Sequence, residues 1–457
     1  RLDLMAADPA TGASRVVLTE ESDTFVGGLD FITGGWRQVF HAIDGADGFL
    51  WLSERDGWRH VYHHDYDGAL LARVTAGGFP VERVVAVDRE RDRVFLLARG
   101  EPRRYDTHLY RTGLGGGPLL RLTDAPGEHQ VQLSPSKLRF LDTHSSLERP
   151  PRTELRDADG ELVRVLHEAD ASALTGSGWT PPEAFVVKAA DGVTELYGAL
   201  FKPVYFDPAV RYPVIDFLYS GPFITVAPND FGLSTHLAPY AQAMAQMGFI
   251  TFIVDPRGTT GRSKAFQDAS YGRIGEIEIP DHVSTLRQLA ATRPFMDLGR
   301  VGVYGHSWGG YFALRAMLTA PEVFRAGVAG APGELTEAAP INEPYMGLPA
   351  DNPGAYAAAL NAPLAGQLQG ELLLLHGTAD VNAPFSTTMR MVQALIEADK
   401  DFDLLVLPGA AHGFQGAHSR YAERRIRDFF LEHLRGEARV AAGSSAHSGP
   451  AIPGKSE

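Results

Sequence analysis

The residues best suited to covalent chemistry are a serine, an aspartate and a histidine that follow one another along the chain: Ser307, Asp380 and His412. Ser307 sits in Gly305-His306-Ser307-Trp308-Gly309, a Gly-x-Ser-x-Gly pattern. A serine hydroxyl is a poor nucleophile until a histidine takes its proton and an acid orients that histidine, so the pattern calls for both partners downstream. Asp380 closes the run Leu372-Leu373-Leu374-Leu375-His376-Gly377-Thr378-Ala379-Asp380, and His412 follows Leu404-Leu405-Val406-Leu407-Pro408-Gly409-Ala410-Ala411. Each has a plainer reading when taken alone. The five-residue pattern can arise by chance in a chain with 49 Gly, Asp380 can cap a helix beginning near Pro384, and His412 is one of 16 histidines, suited to a solvent-facing loop. In the order Ser, Asp, His, each at the end of an apolar run, they point to acyl transfer through a covalent intermediate.

These side chains meet only if the intervening chain folds into strands that end side by side. From about residue 183 the sequence alternates strand candidates (195–204, 212–219, 249–254, 300–305, 325–330, 370–376, 403–407) with helix candidates (236–247, 280–293, 309–319, 385–399, 419–435). In the last helix Ile426, Phe429, Phe430 and Leu434 share one face. The alternation predicts a doubly wound, mainly parallel sheet covered on both faces, an α/β-hydrolase domain over 176–436. Ligands bind at the carboxyl ends of the strands in such a sheet, where all three residues fall. Small residues at Gly305 and Gly309 fit the sharp strand-to-helix turn that presents the nucleophile. A tetrahedral oxyanion needs preorganised donors. The backbone N–H of Trp308 is one candidate; Tyr219, after the strand through Val214-Ile215-Asp216-Phe217-Leu218, is another, or else an ordinary strand-end aromatic.

Residues 1–175 read differently, as short β-like runs punctuated by Gly, Asp and Pro with no convincing helical period. Phe49-Leu50-Trp51-Leu52-Ser53, Arg93-Val94-Phe95-Leu96-Leu97 and Leu138-Arg139-Phe140-Leu141-Asp142 open three units about 44 residues apart, near the period of a propeller blade. Asp67-Gly68 and Asp159-Gly160 supply tight hairpin turns. With residues 1–19 as a further closing half, the reading is a partial β-propeller of about three and a half blades, too few to close a ring. The chain opens on Arg1 in a strand-like run, so a missing N-terminal part is expected. The tail, 437–457, lacks apolar periodicity and is expected to be disordered.

Composition narrows the function classes. With 42 Lys and Arg against 56 Asp and Glu, the net charge of −14 disfavours nucleic-acid and anionic-membrane surfaces. The absence of cysteine excludes disulfides, zinc-thiolate sites and a cysteine nucleophile. No apolar run is long enough to span a bilayer. A soluble protein is expected, cytoplasmic or periplasmic/secreted, with no cofactor and no metal. His63-His64 reads as an edge-strand pair, and Glu276, Glu278 and Asp281 as the acidic first turn of a helix.

The block from about Pro182 to Gly436 resembles the catalytic domain of the prolyl oligopeptidase family of serine peptidases, and within it the dipeptidyl peptidase IV branch. The resemblance rests on Tyr212-Pro213 through Tyr219-Ser220-Gly221-Pro222, Asp255-Pro256-Arg257-Gly258, Gly305 to Tyr311, Tyr345-Met346-Gly347-Leu348-Pro349, His376 to Asn382, and His412-Gly413. Ser53 to Tyr62 resembles a propeller segment of that branch. The resemblance implies a triad of Ser307, Asp380 and His412, an oxyanion hole of Tyr219 and Trp308, and Asn382 as the asparagine that holds the substrate carbonyl before the scissile residue. It implies peptide substrates cleaved through an acyl-enzyme, with N-terminal dipeptides released after Pro or Ala, and it gives Arg257 and Arg262 a structural role. A homodimer is left open. An acylaminoacyl-peptidase or oligopeptidase of the same family is the alternative, then an esterase; an inactive, peptidase-like binding protein is the non-enzyme alternative. Two departures bear on substrate. The segment Ala331 to Pro344 is shorter than its counterpart and lacks the tyrosines that wall the proline pocket, and the family's paired glutamates for the substrate amino terminus come from upstream of this chain. Glu20-Glu21 reads as a solvated inter-blade turn rather than their substitute.

Overall fold

The structure, a computed structural model, describes residues 1–27, 39–45, 48–100, 105–222, 224–334 and 342–437. The expected disordered tail lies outside these residues from 438 onward.

The first part is built from antiparallel sheets. A two-stranded hairpin, β1 (Leu2–Ala7) and β2 (Ser14–Glu20), precedes a four-stranded unit of β3 (Phe40–Ala42), β4 (Gly48–Ser53), β5 (His60–Asp65) and β6 (Leu70–Arg73). Two further groups of four strands follow, β7 (Val81–Asp88), β8 (Arg93–Arg99), β9 (Thr107–Thr112) and β10 (Leu120–Arg121), then β11 (Glu128–Leu133), β12 (Arg139–Ser145), β13 (Arg152–Asp157) and β14 (Leu162–Glu168), joined into one eight-stranded sheet where β11 pairs parallel with β9 at Glu128 and Thr107. The units recur in detail as well as in count. Asp65 and Asp157 each accept two N–H groups from their own turns, and Gly68 and Gly160 both take a left-handed φ near 90°. A Cβ on Gly68 would strike the Val17 carbonyl of the preceding hairpin, as one on Gly160 would strike Leu122, so only glycine lets these turns nest.

Two sequence expectations are corrected here. Each unit begins one strand earlier than the sequence suggested, because β7 and β11 mix charged and apolar residues and do not read as strands on periodicity. His63-His64 is not at an edge: β5 pairs with β4 and β6, and buried His64 stacks on Phe49 with Nδ1 3.0 Å from the Gly68 carbonyl.

After a short helix, α1 (Ser172–Gly176), eight strands form one mixed sheet: β15 (Glu183–Lys188), β16 (Glu195–Phe201), β17 (Tyr212–Phe217), β18 (Ile250–Val254), β19 (Met296–His306), β20 (Ala326–Gly330), β21 (Glu371–Gly377) and β22 (Asp403–Leu407). Their order is β15-β16-β18-β17-β19-β20-β21-β22, antiparallel as far as β16-β18 and parallel from there to β22. The helices α2 (Ala238–Ala245), α3 (Lys264–Gln267), α4 (Glu278–Thr292), α5 (Trp308–Thr319), α6 (Glu343–Met346), α7 (Pro353–Ala359), α8 (Phe385–Glu397) and α9 (Gly416–Phe430) complete the element order. β18 and β20 are buried at every residue, and two apolar clusters cover the sheet, one around Leu286, Phe312 and Leu374, the other around Phe217, Phe249 and Phe430. That is the reason these strands read as continuous apolar runs instead of alternating. Among the described residues no helix is long and apolar enough to cross a membrane.

Candidate active site

The turn that presents Ser307 is made possible by three glycines. Ser307 lies between β19 and α5 with φ 61° and ψ −124°, a conformation an L-residue adopts only when its surroundings enforce it. A Cβ on Gly305 would fall onto the Gly309 carbonyl, one on Gly309 would lie 2.5 Å from the Leu218 carbonyl, and one on Gly310 would run into the Gly330 carbonyl. The Ser307 N–H donates to the Gly330 carbonyl at 2.8 Å, tying the turn to the end of β20.

Asp380 and His412 arrive from the loops after β21 and β22. The Ser307 hydroxyl lies 2.8 Å from His412 Nε2, and His412 Nδ1 lies 2.7 Å from Asp380 Oδ2. With the proton on Nδ1, the imidazole donates to the carboxylate and offers Nε2 to the serine. Asp380 Oδ1 accepts the N–H groups of Asn382 and Ala383, both at 2.9 Å. Burial pushes the Asp380 carboxyl up, but the Ala383 N–H and His412 outweigh it, and the group stays below the ordinary carboxylate range. The acid therefore remains charged to orient an imidazole and to stabilise an imidazolium.

Two histidines that the sequence reading left without a role support this arrangement. His306 Nε2 lies 2.8 Å from the His412 carbonyl, and its ring packs edge-on against Phe414. Burial, reinforced by the nearby His412, pulls His306 down to about 4, so it is neutral and donates from Nε2. Buried His376 donates from Nε2 to the Ala383 carbonyl at 2.9 Å and lies 2.7 Å from Thr388 Oγ1, bracing the turn that carries Asp380. Their partners lie 106 residues away for His306 and across the turn after Asp380 for His376, contacts that no local pattern encodes.

The structure brings the other sequence-assigned residues to the same end of the sheet. Tyr219 follows β17; its ring packs edge-on against His236 at 5.7 Å and borders the space where a Gly309 Cβ would sit, at 3.2 Å. Trp308 is the first residue of α5, which places its backbone N–H at the helix N-terminus directly after Ser307. Asn382 is exposed, in the turn after Asp380. Of the 331–344 segment, residues 335–341 lie outside the described residues. On its flanks Glu334 pairs with Arg390 at 2.9 Å and Tyr345 is buried against Phe25 at 4.7 Å.

The remaining constellations fall elsewhere. Arg257 holds Asp281 through two nitrogens at 2.9 and 2.8 Å and also meets Asp191 at 3.1 Å, joining the loop after β18 to α4. Arg262 stacks on Phe266, 3.9 Å from the ring centre. Glu20 corrects the solvated-turn reading: it is buried at the end of β2, where it accepts the Trp51 indole N–H at 2.6 Å and the Ser53 hydroxyl and pairs with Arg55. Glu21 is exposed. Asp142, His144 and Glu154 cluster closely enough to ligate a cation, yet Arg152 and Arg156 already hold Glu154 at 2.8 and 2.7 Å and so supply the compensating charge.

Residues 235–437 match the family model described as the prolyl oligopeptidase family, and residues 1–151 match the dipeptidyl peptidase IV N-terminal region. Dipeptidyl peptidase 8 of Mus musculus is 32% identical over 349 residues, covering 73% of this chain and 39% of that protein. Among solved structures, dipeptidyl peptidase 4 of Porphyromonas gingivalis superposes with a TM-score of 0.83 at 26% identity, over 94% of this chain and 60% of that one. A dipeptidyl aminopeptidase IV-like structure from Bacteroides ovatus gives 0.78 at 28% identity, over 86% and 58%. The chain thus spans about two fifths of the length of the mouse protein it matches.

Proposed function

The chain belongs to the prolyl oligopeptidase family, with an α/β-hydrolase sheet preceded by antiparallel sheets like the propeller region of dipeptidyl peptidase IV, and on that premise we propose that it is a serine peptidase that releases N-terminal dipeptides from short peptides. The observation that carries the reading is the unbroken line of hydrogen bonds from Ser307 through His412 to Asp380.

In this reading Ser307 Oγ attacks the scissile carbonyl carbon while His412 Nε2 takes the hydroxyl proton, giving a tetrahedral oxyanion and an imidazolium paired with Asp380. The Tyr219 hydroxyl and the Trp308 N–H hold the oxyanion. Collapse breaks the C–N bond, and the proton on Nε2 passes to the leaving amine, which departs as the shortened peptide. A water molecule, deprotonated by the same imidazole, then attacks the acyl-enzyme and frees the dipeptide and Ser307. Asn382 holds the carbonyl that precedes the scissile residue. Proline or alanine before the cleaved bond is the expected preference, and a described relative of this chain carries dipeptidyl peptidase in its name.

The test compares Gly-Pro and Ala-Ala anilides bearing a free amine with the same compounds N-acetylated. Hydrolysis of the free-amine forms, with kcat/KM no lower than for the acetylated ones, is the expected result. The reverse preference would replace this reading with an acylaminoacyl-peptidase, and hydrolysis of simple esters alone would replace it with an esterase.

A further inference from the structure

A second Ser-His-Asp line lies behind Tyr219, on the opposite face of the sheet. His282, on α4, has Nδ1 2.8 Å from Asp216 Oδ2 and Nε2 3.2 Å from Ser220 Oγ. Asp216 and His282 have no exposed surface, and Ser220 is 1% exposed. No substrate reaches a serine so enclosed, so the resemblance to the catalytic line ends at its hydrogen bonds.

The position of this line in the strand gives it a use. Side chains alternate along a strand, so residues 216, 218 and 220 face one side and 217 and 219 the other. The packing follows that alternation: Leu218 joins the apolar cluster that contains Leu286 of α4, whereas Phe217 and Tyr219 join the opposite one. His282 therefore grips the chain at Asp216 and at Ser220, on either side of Tyr219, while the Tyr219 ring projects the other way toward Gly309 and His236. The regular ladder of β17 ends at Phe217, and beyond Leu218, whose N–H donates to the Tyr304 carbonyl at 2.9 Å, Gly221 takes a left-handed φ of 107°. Tyr219 thus sits beyond the regular ladder of β17, between the two residues that His282 holds. The grip is itself anchored, because Asp281, the neighbour of His282, is held by Arg257 and by the Ala190 N–H at 2.9 Å.

We propose that His282, by bridging Asp216 and Ser220, is a positioning residue for Tyr219, the side chain read above as the oxyanion donor. The inference rests on the peptidase reading. Its sign is a cost in the transition state more than in the bound substrate: a Tyr219 hydroxyl misplaced by a fraction of an ångström stabilises the oxyanion poorly but leaves the ground-state contacts of the peptide elsewhere.

The experiment is a double-mutant cycle on the full chain with an Ala-Ala anilide, reading kcat and KM for wild type, Ser220→Ala, His282→Gln, Tyr219→Phe and the two doubles with Tyr219→Phe. Ser220→Ala deletes one oxygen and leaves the Asp216–His282 pair intact, so its folding is the less threatened. The expected result is a fall in kcat of about tenfold in each single variant, with KM within about twofold, and no further fall when either is added to Tyr219→Phe. Losses that multiply in the doubles, or full kcat in Ser220→Ala, would overturn the proposal. Labelling of Ser307 in wild type by a fluorophosphonate separates the two levels. Labelled wild type with an additive cycle overturns the positioning role alone, and unlabelled wild type overturns the peptidase reading and this inference with it.

Discussion

At the scale of single residues, the division between bond breaking and substrate holding gives Asn382 a distinct signature. Its backbone N–H is committed to Asp380 and its side chain is exposed, so in the proposed reading truncation to alanine removes a substrate contact and leaves the hydrogen bonds of the acid in place. Asn382→Ala is expected to raise KM by about five- to twentyfold with a smaller change in kcat, the pattern of a contact made in ground and transition states alike. Steady-state kinetics on a dipeptide anilide check this, and a loss confined to kcat would move Asn382 to another role. Residue identities at the site were readable because Ser307, Asp380 and His412 each close an apolar run in a fixed order. His306, His376 and His282 were not, since each acts on a group from 7 to 106 residues away that only the folded chain brings near.

At the scale of elements, the turn into α5 is where strain and packing concentrate. Ser307 holds a positive φ in a turn where the Gly309, Leu218 and Gly330 carbonyls leave no room for a Cβ at Gly305, Gly309 and Gly310 respectively. Gly310→Ala is expected to cost about 1–3 kcal/mol of stability, since the added methyl must displace the backbone of β20, and to lower kcat through the shift of Ser307. Urea unfolding with parallel kinetics measures both, and an unchanged midpoint would mean that β20 yields freely. The elements themselves were largely legible, with β17, β18, β20, β21 and β22 within a few residues of their expected bounds, because buried parallel strands leave continuous apolar text. β15 does not read as an apolar run, because its Glu-Ala-Phe-Val-Val-Lys buries only alternate residues at a sheet edge. β19 starts at Met296, four residues before the apolar run, through a polar stretch paired to β17 with an irregular register.

At the scale of the whole molecule, histidines buried as neutral rings link stability to pH. Burial pulls His108 down to about 3 and His306 to about 4, from an ordinary 6.5. Between about pH 6.5 and those values the unfolded chain binds protons that the folded chain refuses, so their contribution is full above pH 6.5 and is lost as pH falls toward 4. Thermal melts are expected to be flat near neutrality and to drop below about pH 6.5, less steeply in His306→Gln; a Tm that rises over the same interval would contradict the sign. The same whole chain must carry the chemistry. The most direct measurement is covalent labelling of the 457-residue chain by a fluorophosphonate, followed by peptide mapping. The account predicts one labelled serine, Ser307, with labelling abolished in Ser307→Ala and slowed by at least about a thousandfold in His412→Ala. An unlabelled wild-type chain, or a label that survives Ser307→Ala, would contradict it.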